Sequence, residues 1–223
     1  MIILVRHGEA THHTEHLTGG WTDSELTATG RRQLQAVAAK LAKDCVGRKC
    51  GLRLLTSDLK RAYESAQILA GSLGISAVEP YVFLREKNNG EAAGLTETAA
   101  KALYRQPPSL KELHHRNYPG GETRQEFYDR SVQGLEQCAD AEHEDLLIVA
   151  HKGTIQNIIF AWLGLDIAAV NRLNFSVDIL PSSVTVLGVN KWREHAVFSL
   201  NDTSHLHSDA GYGIFEFKYS KHH

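Results

Sequence analysis

A three-layer α/β/α fold with a mainly parallel central sheet is what this sequence predicts, on two observations. Short apolar runs (MIILV, LRLLT, DLLIVA) alternate along the chain with segments of helical periodicity, the order expected of strands joined by crossover helices. Three of those runs also end in the same way, each passing from an apolar strand into a cationic or imidazole side chain. At 223 residues the chain is long enough to bury a sizeable core, and it shows no internal repeat or low-complexity stretch.

The elements follow in order. Residues 1–6 read as a buried strand, and the segment after it, which contains LTGGWTDSEL, as irregular. Thr27 is placed to cap a helix to about residue 44, where Leu34, Val37, Leu41 and Cys45 recur at helical spacing. LRLLT (52–56) is a second strand. In the following SDLKRAYESAQILAGSLG, the residues Leu59, Ala62, Tyr63, Ala66, Leu69, Ala70 and Leu73 form one apolar stripe that Gly74 ends. Residues 75–84 are extended and broken by Pro80. From 87 to 118 the chain turns polar and irregular, a lid or insertion with at most short helices. Thr123-Arg124-Gln125-Glu126 is a capping box opening a helix to about 140. DLLIVA (145–150) is a buried strand and HKGTIQNIIFAWLG a helix. SSVTVLGV (182–189) and HAVFSL (195–200) are strands, and the last twenty or so residues are weakly patterned.

Composition narrows the function. The chain is 42% hydrophobic and 22% charged with a formal net charge of −2, an ordinary globular balance without the basic excess of a nucleic-acid binder. The 13 histidines include a terminal His222-His223 pair of the kind affinity tags leave. Cys45, Cys50 and Cys138 lack CxxC spacing and read as reduced structural thiols. MIILV is too short for a targeting core, has no basic lead-in and meets RHGE without a cleavage site. The longest apolar run, IIFAWLGL at 158–165, falls short of a membrane span. A soluble, cytoplasmic protein with no membrane and no nucleic-acid partner is expected.

The strand ends are the informative feature. MIILV runs into Arg6-His7, LRLLTS into Asp58-Leu59-Lys60-Arg61, and DLLIVA into His151-Lys152. In an open α/β sheet, ligands bind beyond the carboxyl ends of the strands, so parallel neighbours would bring all three tips to one crevice. Cations in the first turn of a helix oppose its dipole, at a cost of a few tenths to about 1 kcal/mol unless an anion sits there too. Singly, each tip is an ordinary strand end. Together they describe a cage for phosphate.

At this point the sequence resembles the histidine phosphatase superfamily, in the branch that includes cofactor-dependent phosphoglycerate mutases and their phosphatase relatives. The motifs that carry the likeness are LVRHGE (4–9), GWTDSELTATG (20–30), SDLKRAYESA (57–66), LREKNNGEAAG (84–94), PGGET (119–123), VAHKG (149–153) and LNDTSHL (200–206). The resemblance implies a single domain over 1–223 with a lid at about 87–118. It implies His7 as the nucleophile that becomes a phosphohistidine, with Arg6, Arg61 and His151 holding phosphoryl oxygens and Glu86 as proton donor, then base. It implies an outer, substrate-binding set of Gly8, His13, Thr18, Gly19 and Lys152, and no cofactor or metal. Departures fall in that outer set. Ala10 stands where Ser or Thr is common and His13 where Asn is. Lys152 replaces a small residue, and the GG of LTGGW bears on the loop holding Thr18.

The chemistry asks for these residue types independently. Phosphoryl transfer needs positioning and charge compensation over three equatorial oxygens, which guanidinium forks supply. A histidine attacks only when neutral, and flanking arginines disfavour its imidazolium. A carbonyl on Nδ1 would leave Nε2 free to attack. The expected protein is a histidine acid phosphatase-type phosphoric monoester hydrolase acting on a small phosphorylated substrate, with Glu86 a competent acid once bound phosphate cancels the cationic field. A phosphoglycerate mutase is the alternative, although that activity goes with a longer insertion than residues 87–118 provide. His12, His13, Glu15 and His16 suggest a metal module, with His12 and His16 sharing a helical face, but HHTEH lacks the HExxH order. An inactive scaffold would be expected to have lost one of the central five residues. Arg105, Lys111, His114, His115 and Arg116 make the lid mildly basic, either as a solvated face or as a hold on a second anionic group.

Overall fold

The computed structural model describes residues 1–45, 51–109 and 112–206. Its sheet has six strands: β1 (Ile2–Arg6), β2 (Arg53–Ser57), β3 (Val78–Tyr81), β4 (Leu146–Ala150), β5 (Val184–Val189) and β6 (His195–Asp202), in the order β3-β2-β4-β1-β5-β6. β3, β2, β4 and β1 are mutually parallel, while β5 runs antiparallel to β1 and to β6. The helices are α1 (Thr11–Thr14), α2 (Ala28–Cys45), α3 (Lys60–Leu73), α4 (Glu97–Leu103), α5 (Arg124–Cys138), α6 (Lys152–Trp162) and α7 (Ile167–Leu173). This is the α/β sandwich the alternation predicted.

Strand periodicity builds the two cores. Ile3 and Val5 of β1 with Leu147 and Val149 of β4 face α2 and α3, where Leu34, Val37, Leu41, Ala62, Ala66 and Leu69 meet them. Their neighbours Ile2, Leu4, Leu146 and Ile148 face the opposite way, onto Leu135 of α5 and Ile155, Ile158 and Ile159 of α6. Each such side chain, fully buried, contributes roughly 1.5–3 kcal/mol. Because α3 after β2 and α6 after β4 lie on opposite faces, a crevice opens at the carboxyl ends of β2, β4 and β1, which are adjacent.

Local chemistry sets the boundaries. The Thr27 hydroxyl accepts from the Gly30 N–H at 3.0 Å and caps α2. Gly74, at φ 67°, closes α3. The Thr123–Glu126 box is reciprocal, with Thr123 Oγ1 accepting from Glu126 N and Glu126 Oε2 from Thr123 N. Pro80 lies inside β3 rather than breaking it, as an edge strand permits. Two short helices differ from expectation: α1 forms in the segment read as irregular, and α7 follows α6 where no element was assigned. The lid holds α4 and a 3-10 turn at Gly90–Ala92. Among the described residues no single helix is long and apolar enough to cross a membrane. Cys138 is a free thiol. Cys50, Lys111 and the His222-His223 pair lie outside the described residues, as does the side chain of Cys45.

Candidate active site

The three strand tips meet. His7 leaves β1, His151 leaves β4, and their rings stand 5.0 Å apart, both almost wholly buried. Arg61, in the first turn of α3, is 1% exposed and its Nε lies 3.3 Å from His7 Nε2. Main-chain carbonyls of the loop after α1 hold this guanidinium: Nη1 donates to Thr22 O and Nη2 to Gly20 O, both at 2.7 Å. Arg6 is anchored from the other side by donating Nη1 to Ile179 O at 2.6 Å.

The His7 tautomer follows from one bond. His7 Nδ1 lies 2.7 Å from Gly8 O. A carbonyl only accepts, so Nδ1 carries the proton and Nε2 keeps its lone pair. Burial, then Arg61, His151 and Arg6 in that order, hold His7 well below the ordinary histidine value, against a smaller opposing pull from the Gly8 carbonyl. His151 is held down by burial first, then by Arg61 and Arg6. Its two ring nitrogens have no hydrogen-bond partner among the described residues. A fully buried imidazole left so costs about 1–3 kcal/mol, a deficit that a bound anion's oxygens remove.

His13 stacks on His7 with centroids 5.7 Å apart. Its Nδ1 accepts from Ala10 N at 3.1 Å, so the neutral ring has its proton on Nε2, which faces Arg6 Nη2 at 3.3 Å. Two donors converging on one point create a position for an anionic oxygen. His13 is pulled to about 4, by burial first and then by Arg6 and Arg61. His12, pulled to about 3 by burial and then by the His13 ring and the two arginines, is buried with Nδ1 2.8 Å from Ser24 Oγ.

Glu86 follows the 3-10 turn Val82–Leu84. Its Oε2 accepts from Gly153 N, in the first turn of α6, at 3.0 Å, and its Oε1 from Lys87 N at 2.8 Å. The carbonyl of Glu86 accepts from Trp21 Nε1 at 2.8 Å and from Arg130 Nη2 at 3.1 Å. Arg130 also donates to Phe83 O and forks onto Glu122 at 2.7 and 2.8 Å, clamping the acid's segment to α5. A Cβ on Gly153 would stand 2.5 Å from Glu86 Oε1 and 2.8 Å from Phe127 Cε1, so that position needs glycine for close approach.

The outer residues are placed unevenly. Gly8 serves through its carbonyl on His7, and a Cβ there would lie 2.5 Å from Leu34 Cδ2. Gly19 lies against the His12 ring. The Thr18 hydroxyl is engaged by the lid carbonyls of Ala92 and Leu95, so it joins loop to lid rather than facing the cage. Lys152 is exposed and paired with Asp178. Lys60, beside Arg61, is exposed and paired with Asp23 at 2.8 Å. His12 and His16 do not share a helical face, because α1 ends at Thr14 and His16 is left-handed at φ 54°. Among the described residues no group of three or more His, Cys, Asp or Glu is arranged to hold a metal. Sequence reading passed over Ser24, Trp21 and Arg130. Trp21 and Ser24 lie within GWTDSEL, whereas nothing local marks Arg130.

A buried ring of two guanidiniums and neutral imidazoles at the carboxyl edge of an α/β sheet defines a phosphoryl-binding enzyme site. The comparisons agree: residues 2–203 match the model of the histidine phosphatase superfamily (branch 1), and the chain belongs to that family. It is 34% identical over 163 residues to the phosphoglycerate mutase-like protein 4 of Arabidopsis thaliana, covering 70% of this chain and 68% of that one. It is 30% identical over 210 residues to a metal-independent phosphoserine phosphatase of the same plant, covering 93% and 83%. A mycobacterial glucosyl-3-phosphoglycerate phosphatase, solved with VO3, superposes with a TM-score of 0.70 at 27% identity, covering 90% of this chain and 98% of that one.

Proposed function

We propose that this protein is a metal-independent phosphomonoesterase that hydrolyses a small phosphorylated metabolite through a phosphohistidine on His7. His7 Nε2 attacks phosphorus while Arg6, Arg61, His13 and His151 take the equatorial oxygens. The P–O bond to the alcohol breaks as Glu86 delivers its proton to the leaving oxygen. Water then attacks the phosphohistidine, Glu86 takes back a proton, and the P–N bond breaks to release phosphate and neutral His7. The observation that carries this reading is the His7 geometry: a proton fixed on Nδ1 by Gly8, a buried ring held neutral, and a guanidinium 3.3 Å from the free nitrogen.

A mutase reading has its support in the names of several relatives, the plant phosphoglycerate mutase-like protein and probable phosphoglycerate mutases of Escherichia coli and Serratia proteamaculans among them. Against it stands the length of the lid: the short segment from Glu86 to Pro119 covers a second phosphoryl group poorly and leaves a phosphohistidine open to water.

The test is a screen of phosphate monoesters with a strong chelator present. Wild type is expected to release phosphate. His7→Ala should lose about three orders of magnitude or more in kcat. Glu86→Gln should lose about 10²–10⁴ on alkyl esters while inorganic phosphate binds nearly as before. Equal loss of turnover and phosphate binding in Glu86→Gln would remove Glu86 from its role, and transfer to an acceptor in place of hydrolysis would favour the mutase.

A further inference from the structure

Beyond the cage lies a cavity of about 510 Å³ that includes Glu86 and Gly153 in its wall. Glu86 protonates the leaving oxygen, so the departing alcohol occupies the side of the phosphoryl group that Glu86 faces. This cavity therefore receives whatever the phosphate is attached to. Its volume is in the range that encloses a drug-sized molecule, well beyond a three-carbon acid.

The walls combine two chemistries. Phe127, Phe160 and Phe175 supply an apolar, aromatic surface, with Phe160 and Phe175 edge to face at 5.4 Å. Against them stand two cations, Lys87 from the segment after Glu86 and Arg124 from the first turn of α5. The surroundings make Arg124 unusual. Arg85 forks onto Asp58, Arg116 onto Glu126 and Arg130 onto Glu122. Arg124 makes no hydrogen bond or ion pair with any described residue, although Glu126 is only two positions along the chain and already committed to Arg116. Among the described residues the Lys87 ammonium has one hydrogen-bond partner, Asn117 Oδ1, at 3.5 Å. Both cations are partly withdrawn from water. Burial lowers each from its ordinary value, and for Lys87 the nearby Arg124 charge adds to the effect. Glu112 lies in the same wall, with its carboxylate accepting from the Ser109 hydroxyl at 2.9 Å. Glu122, Glu86 and Glu126 oppose the fall at Lys87 without reversing it, whereas burial alone acts on Arg124, so an anion between the two cations would offset a cost that the nearby carboxylates leave standing.

We infer that this cavity is a subsite for a leaving group with a ring or apolar body and a second anion, held between Lys87 and Arg124. The inference rests on the phosphatase reading and specifies its substrate class. The guanidinium fork matches the two oxygens of a carboxylate, and a second phosphate offers the same contact.

The experiment compares 3-carboxyphenyl phosphate, its neutral carboxamide and 1,3-phenylene bisphosphate on wild type, Arg124→Gln and Arg124→Lys. Wild type should favour the acid over the amide in kcat/KM by about tenfold or more, and Arg124→Gln should bring that ratio towards one. Arg124→Lys should fall between them. A preference for the bisphosphate over the carboxylate keeps the second anion and names phosphate as its source. Equal rates on acid and amide in wild type, or an unchanged ratio in Arg124→Gln, overturn the subsite while leaving the phosphatase standing. Failure of wild type to hydrolyse any of the three overturns the phosphatase reading itself. If Arg124→Gln does not fold, inhibition of wild type by 3-hydroxybenzoate against 3-hydroxybenzamide decides: no preference for the acid rejects the subsite.

Discussion

The cage and the cavity share Glu86 and Gly153 but are built on different principles. Arg6, His7, Arg61 and His151 sit at a strand end or in the first turn of the helix after it, and main-chain carbonyls orient Arg6, His7 and Arg61. The parallel sheet sets its geometry, and His7, Arg61 and His151 are buried while Arg6 and His13 are half-buried. The cavity instead takes its walls from the side chains of α5, α6 and the segment after α7, with lid residues at its mouth. Its cations are half-buried and, among the described residues, held by no main-chain carbonyl. On the proposed reading, rigid main chain fixes the reaction while interchangeable side chains select the substrate. Damage to the cage should slow every phosphomonoester alike, and damage to the cavity should change the ratio between them.

The strongest way to break that contrast is at Arg61. Arg61→Gln removes the donor beside His7 Nε2 and one positive charge from the equatorial oxygens, so kcat/KM should fall about 10³-fold. Arg61→Lys should recover little, because one ammonium cannot hold the Gly20 and Thr22 carbonyls and also present a fork. Measured over a panel of esters, the loss should be uniform. A loss concentrated on some leaving groups would show that the cage also selects among them.

A smaller effect is expected at the seam. Gly153→Ala drives a methyl into Glu86 Oε1 and the Phe127 ring, displacing the proposed proton donor without touching His7, Arg6 or Arg61. A shift near 1 Å in a reacting group costs up to about 100-fold. The loss should be largest for alkyl esters, whose leaving oxygen needs a proton, and slight for 4-nitrophenyl phosphate. Inorganic phosphate affinity should change little. Equal losses on both ester types would mean that the cage had moved as well.

This division also explains what could be read from the sequence. Arg6, His7, Arg61 and His151 were legible because strand tips of a parallel sheet converge by topology, and the apolar runs before them are local signals. Glu86 was legible only through the resemblance, since its segment is irregular and its partner Gly153 lies 67 positions away. Thr18 and Lys152 were placed by motif, yet their side chains turn to the lid and to Asp178. A motif records that the chain passes the site without recording which way a short hydroxyl or a long ammonium points. Arg124 and Arg130 lie six positions apart on one amphipathic helix. Which of them clamps Glu86 and which faces the cavity depends on packing against segments that periodicity does not reach. The cavity was illegible for that reason.

The smallest effect separates the two regions by acid lability. His7, His12, His13 and His151 are all held below the ordinary histidine value of about 6.5 when folded, with His13 at about 4 and His12 at about 3. As pH falls below about 6.5, the unfolded chain protonates these rings while the folded cage does not. The unfolded state then binds more protons, so stability falls with pH. Each such ring adds a slope of about 1.4 kcal/mol per pH unit. Among the carboxylates, Asp58, Glu79 and Asp178 are lowered from ordinary values near 4, so their contribution is lost only at lower pH. Between about pH 6.5 and 4.5 the cage histidines are therefore the main lowered groups among the described residues. His13→Asn removes one of the four titrating rings and should flatten the slope there by about one proton's worth, measured by urea unfolding at successive pH values. It should change kcat/KM by less than about tenfold, since the asparagine amide can donate to the same oxygen. Arg124→Gln, a change in the cavity, should leave the slope as it is. A slope flattened equally by both variants would mean that the acid response comes from the whole molecule and that the cage is not electrostatically separate from the cavity beside it.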